Sequence, residues 1–303
     1  MNGIIVMDKP AGFTSFDVVA VMRGICHTKK IGHTGTLDPM ATGVLPLLLG
    51  NATRAASLLP DTDKEYIAGF KLGYSTDTQD STGKTTAEST VKIKRCDVEK
   101  VLPQFRGGIL QMPPMYSAVS VGGKRLYELA RKGIEVEREK RPITIYSLEL
   151  LDFEENDMSG HLKVLCSKGT YIRTLCSDIG DTLKTYGVMT SLRRTRAGGF
   201  SAEDCVSLNE VKQLSAENGL EKILLPTEKL FVSYPAVSVS EAQAIRFLNG
   251  GALKLSYTAL RNSKNAGTGD IYRIMSPDGV FLGLGETESE EIRVLRLFPP
   301  ERQ

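Results

Sequence analysis

The chain has 303 residues, 41% of them hydrophobic and 24% charged, with a formal net charge of +2, which suits one large domain plus a smaller one. So small a net charge excludes a wholesale polycation, and any basic surface for nucleic acid has to be local. Five scattered cysteines without CxxC spacing and only three histidines argue against a disulfide framework or a zinc site.

At the N-terminus, Asp8, Lys9 and Pro10 stand where a secretory leader needs an apolar stretch. The longest apolar runs, such as 44–49, are too short to span a bilayer, so a soluble, cytoplasmic protein is expected. Residues 3–7 read as a short buried strand closed by a Lys9-Pro10-Ala11-Gly12 turn. Thr14 starts a helix with Asp17 completing a capping box, and Val18, Val21, Met22 and Ile25 follow at helical spacing. A Gly/Thr/Pro-rich loop, 32–43, leads into the apolar VLPLLLG. Residues 66–74 alternate like a strand and 75–83 are loop-like. A helix is predicted over 96–105, a proline-fixed loop over 111–117, and a charged, partly solvated helical face within 124–142. Strand-like stretches at 162–167 and 171–173 flank Gly169, and Leu175, Ile179 and Leu183 mark one face of a helix. The pattern changes around 225–235 to short β-like runs, a helix in EAQAIRFLNGG, a polar loop at 261–270, and a hairpin through Ser276-Pro277-Asp278-Gly279. A domain boundary near 230 is expected.

Several familiar signals fail. Gly83-Lys84-Thr85 has Thr78 where a phosphate-binding loop needs its first glycine, and Gly283-Leu284-Gly285 lacks a third glycine. His161 reads as a structural residue. No motif implies ATP, NAD or metal, so no cofactor is expected. The 32–43 loop differs: it combines Gly32, Gly35 and Gly43 with one acid, Asp38, held before Pro39. Taken alone, Asp-Pro reads as a turn.

The run from His33 to Pro46, HTGTLDPMATGVLP, closely resembles the catalytic motif of TruB-type pseudouridine synthases. The resemblance extends over roughly residues 1–200. It takes in Lys9-Pro10 with Gly12 and Ser15, Lys64 and Tyr66 with Leu72-Gly73, and Thr76-Asp77 with Asp80 and Gly83. Further along it takes in the stretch from Pro114 to Ala118, Gly123-Lys124 with Leu126-Tyr127 and Ala130-Arg131, CSKGTYIRT at 166–174, and Leu192-Arg193-Arg194. One departure is Ser120, where such proteins usually carry lysine; Lys124 and Arg125 stand nearby to compensate.

The resemblance implies an α+β fold: a mixed, largely antiparallel sheet with flanking helices over 1–230, and a small β-rich, PUA-like RNA-binding domain over 231–303. It implies isomerisation of uridine to pseudouridine in the T loop of tRNA, at position 55 in conventional numbering, on a flipped-out base. Asp38 is then the essential carboxylate; attack on C1′, addition to C6 and a glycal route all remain open. Arg173 is expected as its ionic partner, lowering its pKa, with Asp80 orienting that arginine. Tyr66 would stack on the uracil, with its hydroxyl the candidate for moving the C5 proton late in the reaction; Tyr171 and Leu192 would line the base pocket, and His33 fill the hole the base leaves. Arg193, Arg194 and Arg196 form a basic cluster for RNA, and Lys254, Arg261, Lys264, Arg273, Arg293, Arg296 and Arg302 are further candidates. A monomer without an obligate protein partner or membrane is expected. Related RNA-guided synthases, and an RNA-folding chaperone that binds and releases tRNA, are the alternatives.

Overall fold

The computed structural model describes residues 1–262 and 267–299, so Lys264, Arg302 and part of the 261–270 loop lie outside the described residues, as does the side chain of Arg261. The apolar N-terminal run forms β1 (Gly3–Lys9). Then comes α1 (Ser15–Ile25), capped as the sequence predicts: the Asp17 amide donates to the Thr14 hydroxyl and the Thr14 amide to the Asp17 carboxylate. β2 (Ile31–His33) enters the glycine-rich loop and β3 (Thr42–Leu49) leaves it. β4 (Lys64–Leu72) is followed by a hairpin of β5 (Tyr74–Thr76) and β6 (Thr85–Glu88), whose turn carries Asp80. The 96–105 helix is split into α2 (Arg95–Val101) and a tighter turn, Leu102–Phe105, because Pro103 has no amide proton to continue an α-helical ladder. β7 (Gly107–Gln111) precedes the proline loop, and a small hairpin, β8 (Ser120–Val121) and β9 (Lys124–Arg125), follows it.

Two expectations change here. Of the charged stretch 124–142, only α3 (Leu126–Ala130) is helical; 131–140 is irregular before β10 (Arg141–Glu154). After β11 (Ser159–Cys166), residues 171–173 are not a strand: Tyr171 caps α4 (Ile172–Thr182), and Ile172 heads the buried face that continues through Leu175 and Ile179. Apolar residues at i, i+3 and i+7 suit a helix, which short β-like runs cannot reveal by themselves. β12 (Gly187–Ala197), β13 (Phe200–Ser201) and α5 (Leu208–Ala216) complete this part.

The main sheet runs β1-β3-β12-β4-β11-β10-β7, with β2 paired to β3 and β13 to β12; every pair is antiparallel except β12 with β3. The mixed, largely antiparallel expectation holds. Alternation along β1 and β3 feeds two cores: Ile5, Met7, Leu45 and Leu47 pack with Val18 and Met22 of α1, whereas Ile4, Val6, Val44 and Leu48 face the other way. A third core, around Phe70, Leu148, Leu162 and Leu175, underlies the far half of the sheet.

The C-terminal part is β-rich: β14 (Ala236–Ser238), α6 (Glu241–Leu248), β15 (Leu253–Lys254), β16 (Ile271–Met275), β17 (Phe281–Glu288) and β18 (Glu291–Leu297). Its sheet order is β14-β16-β17-β18-β15. The expected 276–279 turn is closed by the Ser276 amide donating to the Val280 carbonyl at 2.8 Å. Beyond its own core around Phe247 and Ile274, this unit shares one with the main sheet: Phe231 packs on Phe281 and Phe298, against Ile4, Val6 and Leu48. Arg273 joins the two parts by pairing with Glu228, so it is not free for phosphate. No helix among the described residues is long and apolar enough to cross a membrane.

Candidate active site

The loop between β2 and β3 is held from below by the first residues of the chain. Lys9, fully buried, donates from Nζ to the carbonyls of Pro10 (2.9 Å), Phe13 (2.5 Å) and Pro39 (3.3 Å). The Gly12 amide donates to Pro39 O at 2.8 Å, and the Leu37 amide to Ser15 Oγ at 2.8 Å. Lys9, Gly12 and Ser15 thus grip the residues on either side of Asp38. Burial brings the Lys9 ammonium down to about 8, while the Asp38 carboxylate works against that fall.

Arg173 rises from the first turn of α4 with its side chain only 7% exposed. Its Nε lies 3.0 Å from Asp38 Oδ2, Nη1 donates to Thr78 O at 3.1 Å, and Nη2 to Tyr116 O at 2.7 Å. Asp80 Oδ2 is 3.7 Å from Nη1, an ion pair rather than a hydrogen bond. The Asp80 carboxylate is itself held by the Thr78 hydroxyl (2.8 Å), the Thr82 amide (3.0 Å) and the Thr82 hydroxyl (2.5 Å). The three charges expected together do meet here, but the sign of the expected shift is reversed. Burial raises the Asp38 carboxyl pKa, and Asp80 adds to the rise; Arg173 and Lys9 pull it back without cancelling it.

Asp38, Lys64, Tyr66, Asp80, Tyr171, Arg173 and Leu192 line one cavity of about 800 Å³, closed on another side by Tyr116, Tyr127 and Arg131. Tyr66 projects from β4 with 6% exposure, and burial pushes its phenol up to about 12. Leu192 comes from the adjacent β12. Tyr171 is fixed through its backbone: its amide donates to Gln111 Oε1 (2.8 Å) and its carbonyl accepts from Gln111 Nε2 (3.0 Å). His33 ends β2, one residue before the cavity-lining Thr34, and does not line the cavity itself. Its pKa is lowered by burial and by Arg194, and its buried Nδ1 has no hydrogen-bond partner among the described residues.

The basic cluster of β12 is divided: Arg193 and Arg196 stay at the surface, Arg196 lying 4.0 Å from Asp61, while Arg194 turns inward. Arg193 pairs with Asp8 at 3.0 Å, and Arg194 is fully buried, because successive strand residues point to opposite faces. Sequence reasoning missed Gln111 and the inward course of Arg194. The signal available for Arg194 was its place in an alternating strand beside the apolar Leu192.

Three family profiles match in succession: "TruB family pseudouridylate synthase (N terminal domain)" over 23–172, "tRNA pseudouridylate synthase B C-terminal domain" over 173–232, and "Pseudouridine synthase II TruB, C-terminal" over 235–298. The "tRNA pseudouridine synthase B" of Clostridium kluyveri is 42% identical over 298 residues, covering 98% of this chain and 100% of the relative. That of Pseudomonas fluorescens Pf0-1 is 43% identical, covering 97% and 94%. Among solved structures, one chain of "Crystal Structure of a Cbf5-Nop10-Gar1 Complex" superposes with a TM-score of 0.75 at 28% identity, covering 98% of this chain and 85% of that one. A mixed sheet carrying a buried arginine paired with a half-exposed aspartate in an open cavity, together with these likenesses, defines a pseudouridylate synthase. Within that class the chain belongs to the TruB family.

Proposed function

We propose that this enzyme converts uridine to pseudouridine in the T loop of tRNA, at position 55, with Asp38 as the essential carboxylate. The observation that carries the reading is the Asp38–Arg173 pair at 3.0 Å, opening into a cavity that Tyr66 also lines. The substrate class follows from relatives named tRNA pseudouridine synthase B. The target base leaves its stack and enters the cavity, at a cost of about a few kcal/mol. Tyr66 stacks on it, Tyr171 and Leu192 line its edges, and His33 fills the space vacated in the RNA loop. Asp38 acts on the sugar or the base as an anion, the N1–C1′ bond breaks, the base turns, and C5 bonds to C1′. Arg173 orients Asp38 and keeps part of its charge stable against burial, while Asp80 holds Arg173 from its other side. The isomerisation moves no electrons out of the substrate and transfers no group, so it requires no cofactor. Residues from about 231 onward grip the RNA outside the catalytic part, and the protein works as a cytoplasmic monomer. Ser120 lies opposite Arg125 in the β8–β9 hairpin, so an exposed cation still stands where the usual lysine is missing.

The test is incubation of the purified protein with unmodified tRNA and with an isolated T-arm stem–loop, followed by chemical mapping of pseudouridine. RNA-modifying enzymes commonly read loops whose bases can be splayed out, so both substrates are expected to react. Asp38→Asn keeps the volume but removes the nucleophile and base, and is expected to abolish product while RNA affinity stays within about threefold. Turnover by Asp38→Asn near the wild-type rate refutes the assignment. A guided, multiprotein reading comes from the Cbf5-Nop10-Gar1 likeness; it predicts no activity from the lone protein. A chaperone role would show as tRNA refolding that survives in Asp38→Asn.

A further inference from the structure

The turn between β5 and β6 holds a backbone conformation that its sequence does not favour. Gln79, between Thr78 and Asp80, has φ +63°, in the left-handed region that a residue with a Cβ rarely adopts. Such a residue keeps that conformation only where its surroundings determine it. Two elements supply those surroundings. The first is β12, whose pairing with β3 is confined to Arg193 and Arg194, so that its edge is open at Met189. The Met189 amide donates to Gln79 O at 3.1 Å, and the Ser81 amide to Met189 O at 2.9 Å.

The second is the first turn of α4. The Thr174 hydroxyl, on a residue 2% exposed, donates to Gln79 Oε1 at 2.9 Å. A helical threonine commonly returns its hydroxyl to a carbonyl one turn back; this one reaches across to the hairpin turn instead. Thr174 follows Arg173, and Arg173 meets the residues on either side of Gln79. Its Nη1 donates to Thr78 O at 3.1 Å and lies 3.7 Å from Asp80 Oδ2. Consecutive residues of one turn, 78–80, therefore meet consecutive residues of one helix, and Gln79 makes the neutral bond of that set. Thr78 and Asp80 line the cavity, whereas Gln79 does not.

We propose that Gln79 is a positioning residue for the isomerisation: through Thr174 it locks the Asp80 turn onto α4, and so fixes the direction in which Arg173 presents Nε to Asp38. The inference rests on the reading of Asp38 given above. Gln79 touches neither the carboxylate nor the base; it acts through Arg173. Without the Thr174 bond, only the β12 contacts hold residue 79 in place, and Thr78 O and Asp80 shift relative to the guanidinium. Asp38 is faced by Arg173, Asp80 and Lys9. Burial raises its carboxyl, and Arg173 is the group that most opposes the rise. A guanidinium that wanders opposes it less, so the carboxylate takes up a proton at higher pH.

Thr174→Val removes the hydroxyl donor and keeps the shape, while Gln79→Gly removes the acceptor and suits the left-handed backbone. Each is measured by single-turnover conversion of a T-arm RNA at saturating enzyme across pH, beside an RNA-binding titration. The rate is expected to fall about threefold to tenfold, the scale of one neutral hydrogen bond. The acid limb is expected at higher pH than in the wild type, with affinity unchanged. Thr174→Ser keeps the hydroxyl and is expected to restore both rate and limb. Because the two changes break the same bond, the double variant is expected to lose no more than the more affected single one. A wild-type rate, or an acid limb at the wild-type pH, in either folded variant overturns the proposal. A contact that only supports the fold lowers the melting temperature and leaves the charge balance at Asp38 in place. Additive losses in the double variant, an equal loss in Thr174→Ser, or a matching loss of affinity overturn it too. If Thr174→Val is unfolded, Gln79→Gly decides alone; unfolding of both shows a purely structural contact and overturns it as well. Failure of the proposed function is separate: it would appear as turnover by Asp38→Asn, with Gln79 and Thr174 intact.

Discussion

Replacing Arg173 by lysine conserves charge and removes geometry. The guanidinium reaches Asp38 at 3.0 Å, Thr78 O at 3.1 Å and Tyr116 O at 2.7 Å from three different nitrogens. One ammonium can keep the ion pair or one carbonyl in good geometry, but not all three directions. Two hydrogen bonds from a charged donor are then lost in a side chain only 7% exposed, where solvent offers little relief. At about 1.5–3 kcal/mol each, the local loss is about 3–6 kcal/mol, shared between stability and orientation of Asp38. If half of it appears in the barrier, the single-turnover rate falls about tenfold to a hundredfold or slightly more. The assay is single-turnover conversion at saturating enzyme, beside a binding titration in which affinity is expected to change by less than about threefold, since Arg173 faces Asp38 rather than phosphate. Near-normal turnover in Arg173→Lys would refute the requirement for a planar, multiply bonded cation. An equal loss in affinity would show that it touches RNA instead.

Four further outcomes are expected. Burial holds the Asp38 carboxyl above its ordinary value, so the acid limb of the single-turnover rate is expected above that of an ordinary aspartate. Because the arginine charge opposes that rise, Arg173→Gln is expected to move the limb to still higher pH; a limb at or below the ordinary value contradicts the balance. Phe298→Ala, at a position 5% exposed between Phe231 and Phe281, is expected to cost about 3–5 kcal/mol in chemical denaturation, because the two parts share this core. By the same reasoning, a chain ending near 230 is expected to expose Ile4, Val6 and Leu48 and to aggregate; a soluble, catalytically competent truncation would show the shared core dispensable. Replacing Lys254, Arg293 and Arg296 with glutamine is expected to lower tRNA affinity and to flatten its salt dependence, by somewhat under one unit for each phosphate left unneutralised. An unchanged slope would remove the C-terminal sheet from the RNA interface.

The elements legible from the residues themselves are those whose chemistry is local. The capping box at Thr14 and Asp17, the turn at 276–279 and the glycine-rich loop around Asp38 each depend on residues a few positions apart, whose side chains decide the backbone directly. The meeting of Asp38, Asp80 and Arg173 came from a family resemblance rather than from spacing, because the three are far apart in the chain. What only the tertiary structure decided are balances and directions. Whether burial or Arg173 governs the Asp38 carboxyl depends on how much protein surrounds it, which no pairwise rule on the sequence supplies. Gln111 clasps the backbone of Tyr171 from 60 residues away, across strands that had first to be paired. Arg193 and Arg194 are neighbours in sequence and read as one basic patch. On β12 they part, one to Asp8 at the surface and the other inward to β3, because a strand turns alternate side chains to opposite faces and only the assembled sheet determines which face is the interior.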